Sequence, residues 1–172
     1  MAIAVSLLFD PEVDGAVRRV WQALADSGIC SAMDNLGYAP HVSLIVSDDD
    51  DLATSLSGAI DAMAGERGLD LSLGPARQFP DTSIVWLACD GGAALFDLQQ
   101  RIADVVPVDR IRPHYRPGQW TPHVTVEMAG DAAEGLRLAN QLWPEVRKAR
   151  SVRLELAQFM PVRPLSGVDL AD

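Results

Sequence analysis

The sequence is poor in the residues on which several protein classes depend. Its two cysteines, Cys30 and Cys89, have no metal or redox spacing and are too few for a disulfide framework. Lysine and arginine together number 14 against 24 aspartates and glutamates, so the formal net charge is −10. Because proteins neutralise polyphosphate with basic side chains, this charge argues against a long nucleic acid as partner. A small nucleotide or an RNA end, held in a local pocket, is compatible with it.

Long hydrophobic runs are also missing. The opening decapeptide MAIAVSLLFD has no basic leader, and its apolar run ends at Asp10, which is too short for a membrane span. Of the 172 residues, 48% are hydrophobic and 22% are charged, which is typical of a globular domain with a full core. We therefore expect a single domain over residues 1–172, in a cytoplasmic monomer that has no membrane partner.

Histidine is scarce as well, and its placement is informative for that reason. Two of the three histidines hold the same position in a repeated pentapeptide, PHVSL in the first half of the chain and PHVTV in the second. Successive side chains of a strand alternate between its two faces. His41 and Ser43 are therefore predicted to share one face, as are His123 and Thr125, with the intervening valines turned towards a core.

The repeated pentapeptide belongs to a longer duplication. Residues from about 2 to 80, and again from about 82 to 163, have patterns that predict a strand, a helix, the motif strand, a helix and a strand. Two such units predict an α+β fold with a bilobal pseudo-two-fold arrangement. Each lobe is expected to be a small, mainly antiparallel sheet with helices on its outer side, and the two motifs are expected to meet in a central cleft. The competing fold, a parallel doubly wound sheet, lacks a glycine-rich turn between strand and helix.

The same patterns predict where individual elements lie. The second helix is expected over about Ser47–Glu66 and the fourth over Asp131–Val146, where a proline truncates or kinks the last turn. The alternating leucines predict a strand over Leu69–Leu73. The chain after Pro164 has little pattern and is expected to be loosely ordered.

A phosphodiester between the two motif histidines would be open to acid–base chemistry. One neutral imidazole can take a proton from an attacking hydroxyl or water, while the other, as imidazolium, gives a proton to the leaving oxygen. An unperturbed pKa of about 6.5 lets histidine populate both forms near neutrality. Ser43 and Thr125 are then placed to hydrogen-bond the non-bridging phosphate oxygens. The predicted reaction requires no metal and no cofactor.

These motifs resemble those of the two-histidine phosphoesterase superfamily, which includes 2′,5′ RNA ligase-like proteins and cyclic nucleotide phosphodiesterases. The resemblance rests on PHVSL, on QWTPHVTV and on SIVWLAC, and it extends roughly over residues 2–161. It implies a bilobal fold and metal-independent hydrolysis of 2′,3′-cyclic phosphodiesters, or transfer at 2′,5′ linkages, on a nucleotide or RNA end. It also implies that His41 and His123 are catalytic, and that Ser43 and Thr125 bind the substrate phosphate.

Four side chains outside the motifs are candidate substrate contacts. Tyr115 and Trp120 can stack on a base. Arg116 can contact a phosphate, and Phe79 can form a wall of the cleft. Each also has an ordinary structural interpretation, which is packing for the aromatic residues and solvation for the arginine. His114, in the proline-rich loop before the second motif, is interpreted as an exposed loop histidine.

Other interpretations of these residues stay open. A zinc site built from His41, His114 and His123 lacks a carboxylate or cysteine at ligand spacing. The acidic run Asp48–Asp51 lacks the glycine and distal glutamate of a calcium loop, which favours a solvated helix start. A non-catalytic protein could also use the same cleft to bind a nucleotide or RNA, and binding without turnover would distinguish it from an enzyme.

Overall fold

The computed structural model describes all 172 residues. Its seven strands are Ala2–Phe9 (β1), His41–Ser47 (β2), Asp70–Gln78 (β3), Val85–Asp90 (β4), His123–Glu127 (β5), Arg147–Phe159 (β6) and Arg163–Asp169 (β7). Its four α-helices are Pro11–Asp26 (α1), Ala53–Asp61 (α2), Gly92–Ala103 (α3) and Ala132–Leu142 (α4). Short 3₁₀ turns lie at Asp34–Leu36, Asp50–Leu52, Val108–Arg110 and Pro113–Tyr115. None of the helices has the length and apolarity that a bilayer-spanning segment needs.

The first helix begins where the sequence predicts. The Asp10 carboxylate accepts hydrogen bonds of 3.0 Å from the backbone N–H groups of Glu12 and Val13, which have no partner inside the helix. Pro11 occupies the first turn, where its missing N–H leaves no helical bond unmade. The apolar positions of α1, among them Val17, are buried. The cap and the apolar face together fix where α1 starts and which side faces the core.

All the ladders of the sheet are antiparallel. The strand order is β2-β1-β6-β3-β4-β5, and β7 pairs with β6 beside this path. A single cluster of buried apolar side chains draws on β1 to β6 and on all four helices. The α+β prediction with a mainly antiparallel sheet is therefore confirmed, and the parallel doubly wound alternative is wrong.

The third strand of each predicted repeat unit crosses to the other unit. β3 pairs with β4, and β6 pairs with β1, while β3 and β6 pair with each other at the centre. This exchange is consistent with a duplication, because the same pairing rule applies to both units. Each half of the sheet is thus completed by a strand from the other half of the chain.

The end of the chain differs from the prediction. The segment expected to be loosely ordered after Pro164 forms β7, which pairs with β6 from Arg153↔Asp169 to Gln158↔Arg163. β7 has no fully buried side chain, so its sequence has no apolar alternation to reveal it. Backbone pairing with β6, the strand that directly precedes it, orders this segment as the second arm of a hairpin.

Other boundaries also shift. α2 covers only Ala53–Asp61, and α4 ends at Leu142 before Pro144, so both helices are shorter than predicted. β3 is longer, because it continues through an irregularity between Leu73 and Ala76 as far as Gln78. This extension carries Arg77 and the following residues alongside β4.

Candidate active site

The two motif strands approach each other although they stand at opposite ends of the strand order. β2 and β5 make no ladder together, yet the curled sheet brings their backbones into contact distance. His41 and His123, the first residues of these strands, are each half-buried, while Val42 and Val124 are 0% exposed. The alternation predicted for both pentapeptides is therefore observed in the burial of their side chains.

Each motif histidine is held by a carbonyl two residues before it. The Nδ1 atom of His41 lies 2.7 Å from the carbonyl oxygen of Ala39, and Nδ1 of His123 lies 2.7 Å from that of Thr121. A carbonyl oxygen can only accept, so Nδ1 must be the protonated nitrogen in both rings. The Nε2 atoms are then free to take up a proton. The two rings have the same tautomer and the same means of orientation.

Burial lowers the pKa of both imidazoles. Desolvation is the main cause for His41, and the positive charge of His123 lowers the pKa of His41 further, opposed by the Ala39 carbonyl and by Glu155. Desolvation also lowers the pKa of His123, opposed by the Thr121 carbonyl. Because the charge of one ring is felt by the other, the two histidines form one electrostatically coupled pair.

Two tryptophans donate hydrogen bonds to the backbone of the hydroxyl-bearing motif residues. The indole N–H of Trp120 donates to the carbonyl oxygen of Ser43 at 3.0 Å, and that of Trp21 donates to the carbonyl oxygen of Thr125 at 3.1 Å. Both tryptophans are buried, with exposed fractions of 6% and 2%. Trp21 lies in the first half of the chain and Trp120 in the second, so each half secures the motif of the other.

A pocket of about 350 Å³ opens beside the second motif. Phe79, Tyr115 and His123 line it, together with His114, which is exposed as predicted. The ring of Phe79 meets that of His123 edge-on with centroids 5.1 Å apart. His41 does not line this pocket, which lies on the His123 side of the site.

Two of the predicted substrate contacts lie outside the pocket. Trp120 is behind Ser43, as described above, and its ring meets Phe96. The guanidinium of Arg116 donates to the carbonyl oxygens of Ile111 at 2.8 Å and Asp109 at 3.1 Å. Both side chains therefore hold the loop before β5 in place, and the structure does not bring them together with Phe79 and Tyr115.

The acidic run at Asp48–Asp51 is mostly exposed and leads through a 3₁₀ turn into α2, as predicted, and its carboxylates are also engaged in ion pairs. Arg112 pairs with Asp48, and Arg110 pairs with both Asp49 and Asp51. The N-terminal ammonium lies 3.2 Å from Asp50. These contacts fasten the loop before β5 to the end of β2. The sequence hides them, because about 60 residues separate the partners.

The strand pairing adds residues to the site that the sequence patterns did not single out. Thr125 pairs with Trp86, and Trp86 pairs with Arg77, so these three residues form a row across β5, β4 and β3. Ser43 pairs with Ser6, which pairs with Glu155, in a matching row across β2, β1 and β6. Strand register identifies both rows, and each of them includes a residue from a distant part of the chain.

Tyr38 covers the outer side of the first motif histidine. Its ring meets that of His41 edge-on, with centroids 5.0 Å apart. Burial raises the pKa of Tyr38, and the neighbouring Glu155 raises it further. The environment of His41 is thus more enclosed and more polar than that of His123, which opens on the pocket.

The three histidines do not converge on one point. No three histidine, cysteine or carboxylate side chains come close enough together to hold a metal ion. The alternative of a zinc site at His41, His114 and His123 therefore has no ligand set in this structure.

Comparison with known proteins identifies the family. The chain resembles E. coli LigT complexed with NADP⁺, with 18% identity and a TM-score of 0.63 over 99% of this chain and 97% of LigT. A crystal structure of a phosphoesterase gives 18% identity and 0.63 over 99% and 98%. The protein TT0787 of Thermus thermophilus gives 11% identity and 0.62 over 98% and 97%. At these identities the likeness establishes the fold. No curated protein sequence matches the chain.

The sequence itself establishes the relationship more directly. The model of the 2′-5′ RNA ligase superfamily matches residues 9–160, which include both histidine motifs and the pocket. The resemblance to two-histidine phosphoesterases that the motifs indicate is therefore confirmed, and the chain belongs to the 2′-5′ RNA ligase superfamily.

Proposed function

We propose that the protein is a metal-independent phosphodiesterase acting on a 2′,3′-cyclic phosphodiester or a 2′,5′ linkage of a nucleotide or RNA end. The observation that supports this most strongly is the matched tautomer of the two motif histidines. Each ring donates Nδ1–H to a carbonyl and keeps Nε2 available. Two such rings in one coupled pair are what a reaction with one general base and one general acid requires.

In the proposed hydrolysis of a cyclic phosphodiester, the neutral imidazole removes a proton from water through Nε2. The water oxygen forms a bond to phosphorus while the bond from phosphorus to one ribose oxygen breaks. The protonated imidazole of the other histidine donates its Nε2 proton to that leaving oxygen, so that protons and charges balance. The Ser43 and Thr125 hydroxyls donate hydrogen bonds to the non-bridging oxygens, where negative charge accumulates. Their backbones are held for this purpose by the two tryptophans.

A small nucleotide fits the proposed site better than a long strand. LigT, which shares this fold, has been crystallised with NADP⁺, with ATP and with 3′-AMP. In the protein described here, Phe79 and Tyr115, which line the pocket together with His123, would contact the nucleoside part. Arg116 and Trp120, which the sequence suggested as contacts, would act indirectly by holding the loop. A cytoplasmic monomer remains our expectation.

Single substitutions of the histidines test this proposal. His41→Ala and His123→Ala should each abolish hydrolysis of a nucleoside 2′,3′-cyclic phosphate, while circular dichroism and thermal unfolding stay close to those of the wild type. His114→Ala removes an exposed histidine of the pocket lining outside the motifs, and it should change KM rather than abolish turnover. Activity should persist in a chelator. Wild-type rates in either motif variant would disprove the acid–base assignment.

The second candidate is a protein that binds a nucleotide in the same cleft without turning it over. The lowered pKa of both histidines is compatible with this candidate, because two neutral imidazole rings can bind a ligand through hydrogen bonds without transferring a proton. Calorimetric binding without hydrolysis, across cyclic and linear substrates, would establish this candidate instead.

A further inference from the structure

The cations around the candidate site are almost all neutralised. Arg110 and Arg112 are paired with the acidic run at Asp48–Asp51, as described above. Arg116 donates to backbone carbonyls, and Arg153 lies between Glu155 at 3.1 Å and Asp169 at 2.7 Å. In a protein with a net charge of −10, these arginines offer little attraction to an anionic substrate. A cation without an acidic partner near the second motif is therefore of particular interest.

Arg77 is such a cation. Its side chain is exposed, it makes no ion pair, and it follows the irregularity that prolongs β3 beside β4. Register places it opposite Trp86, which in turn pairs with Thr125. Two strand spacings separate Arg77 from Thr125, so their Cα atoms are about 10 Å apart. The long arginine side chain can therefore act near Thr125 without occupying its phosphate position.

Trp86 holds this arginine towards the same face. The guanidinium carbon of Arg77 lies 6.0 Å from the centroid of the Trp86 ring, within the range of a cation–π contact. Trp86 also stacks on Phe79 with centroids 4.7 Å apart, and Phe79 lines the pocket. The indole N–H of Trp86 is buried and has no acceptor. An unpaired guanidinium and an unpaired N–H thus stand side by side next to the second motif.

The corresponding row in the other half of the sheet has no free cation. It runs from Ser43 through Ser6 to Glu155, a buried carboxylate that is paired with Arg153. An additional anion is therefore favoured beside Arg77 on the His123 side rather than on the His41 side. The two motifs are alike, but the charged residues beside them differ, so the two ends of the cleft are not equivalent.

We propose that Arg77 binds a phosphate of the substrate other than the one that reacts. This inference rests on the proposed function and narrows its substrate class. The preferred substrate is an RNA end whose last nucleotide is still joined to a preceding phosphodiester, rather than a mononucleotide. The reacting phosphate lies between the two histidines, and the preceding phosphate is held by the guanidinium. Arg77 is a specificity-determining residue and takes no part in proton transfer.

Calorimetric binding of two ligands tests this assignment without requiring turnover. One ligand is a nucleoside 3′-phosphate, and the other is a dinucleotide that ends in the same 3′-phosphate and carries one more phosphodiester. Arg77→Gln should weaken binding of the dinucleotide about 10-fold, as expected for loss of one charge-assisted contact. It should change binding of the mononucleotide by less than about 2-fold, which is within the range of weak exposed charge effects. The salt dependence for the dinucleotide should also lose a slope of about 0.7.

Arg19→Gln is the matched control, because Arg19 is an exposed arginine of α1 that also has no ion-pair partner. It should leave both affinities unchanged, and both variants should unfold at the wild-type temperature. Equal losses for the two ligands, or no loss for the dinucleotide, would overturn the assignment of Arg77. If the dinucleotide depends on Arg77 but no substrate is hydrolysed, the inference stands and the phosphodiesterase proposal fails. If hydrolysis occurs and Arg77→Gln binds both ligands like the wild type, the phosphodiesterase proposal stands and the assignment of Arg77 fails.

Discussion

The indole N–H of Trp120 donates a hydrogen bond of 3.0 Å to the backbone carbonyl oxygen of Ser43. The same contact is made by Trp21 to the carbonyl oxygen of Thr125 at 3.1 Å. A buried indole is a rigid support, because its two side-chain torsions are fixed by packing on every side. The hydroxyl residues of both motifs are therefore positioned by side chains that do not line the pocket.

Replacing Trp120 by phenylalanine should separate this positioning from general stability. Trp120→Phe keeps an aromatic ring but removes the donor, so kcat should fall about 10-fold as Ser43 loses its alignment. Trp143→Phe is the control, since the Trp143 indole makes an equivalent 3.0 Å bond to the carbonyl oxygen of Leu73, away from the motifs. Each variant should lose about 1 kcal/mol of unfolding free energy. Equal losses of activity in the two variants would contradict the proposal that Trp120 positions Ser43.

The motif hydroxyls should matter for the rate more than for binding. Ser43→Ala and Thr125→Val each remove one donor to the non-bridging oxygens, where charge grows in the transition state. We expect kcat to fall about 10²-fold in each variant, with KM changed much less. Steady-state kinetics on a nucleoside 2′,3′-cyclic phosphate measure both constants. A rise in KM at unchanged kcat would instead make these hydroxyls simple binding groups.

The pH dependence of kcat/KM should follow from the lowered histidine pKa values. The productive free enzyme carries one proton on the coupled pair, so the profile should be bell-shaped. Burial lowers the pKa of both His41 and His123 below the ordinary 6.5. Activity should therefore be greatest on the acidic side of 6.5 and decline as rising pH removes the last proton from the pair.

Glu155→Gln gives this pH prediction an internal check. The carboxylate of Glu155 raises the pKa of His41, so its removal should move the pH profile of the pair to lower pH. An optimum well above 6.5 in the wild type would contradict the assignment.

Substitution of Glu127 is expected to increase the stability of the fold. It is 0% exposed, both of its carboxylate oxygens lack partners, and it lies against α4 where a side chain at Gly135 would collide with it. Burial raises the pKa of Glu127, with a further contribution from Asp131. The folded state therefore favours the protonated form, and stability is lost as pH rises through the folded-state pKa.

Glu127→Gln removes this charge while preserving shape, and we expect a gain of about 1–3 kcal/mol at pH 7. For a chain of this size each kcal/mol raises Tm by about 2–4 °C. The gain should vanish in acid, below the ordinary glutamate pKa of 4.5, where the wild-type carboxyl is also neutral. Glu134→Gln, at an exposed position of α4, is the control and should change Tm little. Thermal unfolding of the three proteins at pH 4 and pH 7 measures the difference.

Much of the local structure could be predicted from the sequence. The Asp10-Pro11 start of α1 and the inward face of that helix follow from capping and periodicity, which involve residues within one or two turns. The alternation at His41 and Ser43 likewise follows from strand geometry alone. The limits of α2 and the existence of β7 did not follow. β7 is ordered by backbone pairing in a hairpin with β6, and none of its side chains is fully buried, so it has no apolar pattern of its own.

The sequence by itself determined the family, the α+β class and the two histidine motifs. The motifs and the order of strands and helices are visible in local stretches of the chain. Only the tertiary structure decided what surrounds the motifs. It placed Trp120 behind Ser43, engaged the nearby arginines with the acidic run, and set Arg77 in a row with Thr125. The physical reason is register: which side chains become neighbours across a sheet is fixed by strand pairing between distant segments, and no single segment encodes it.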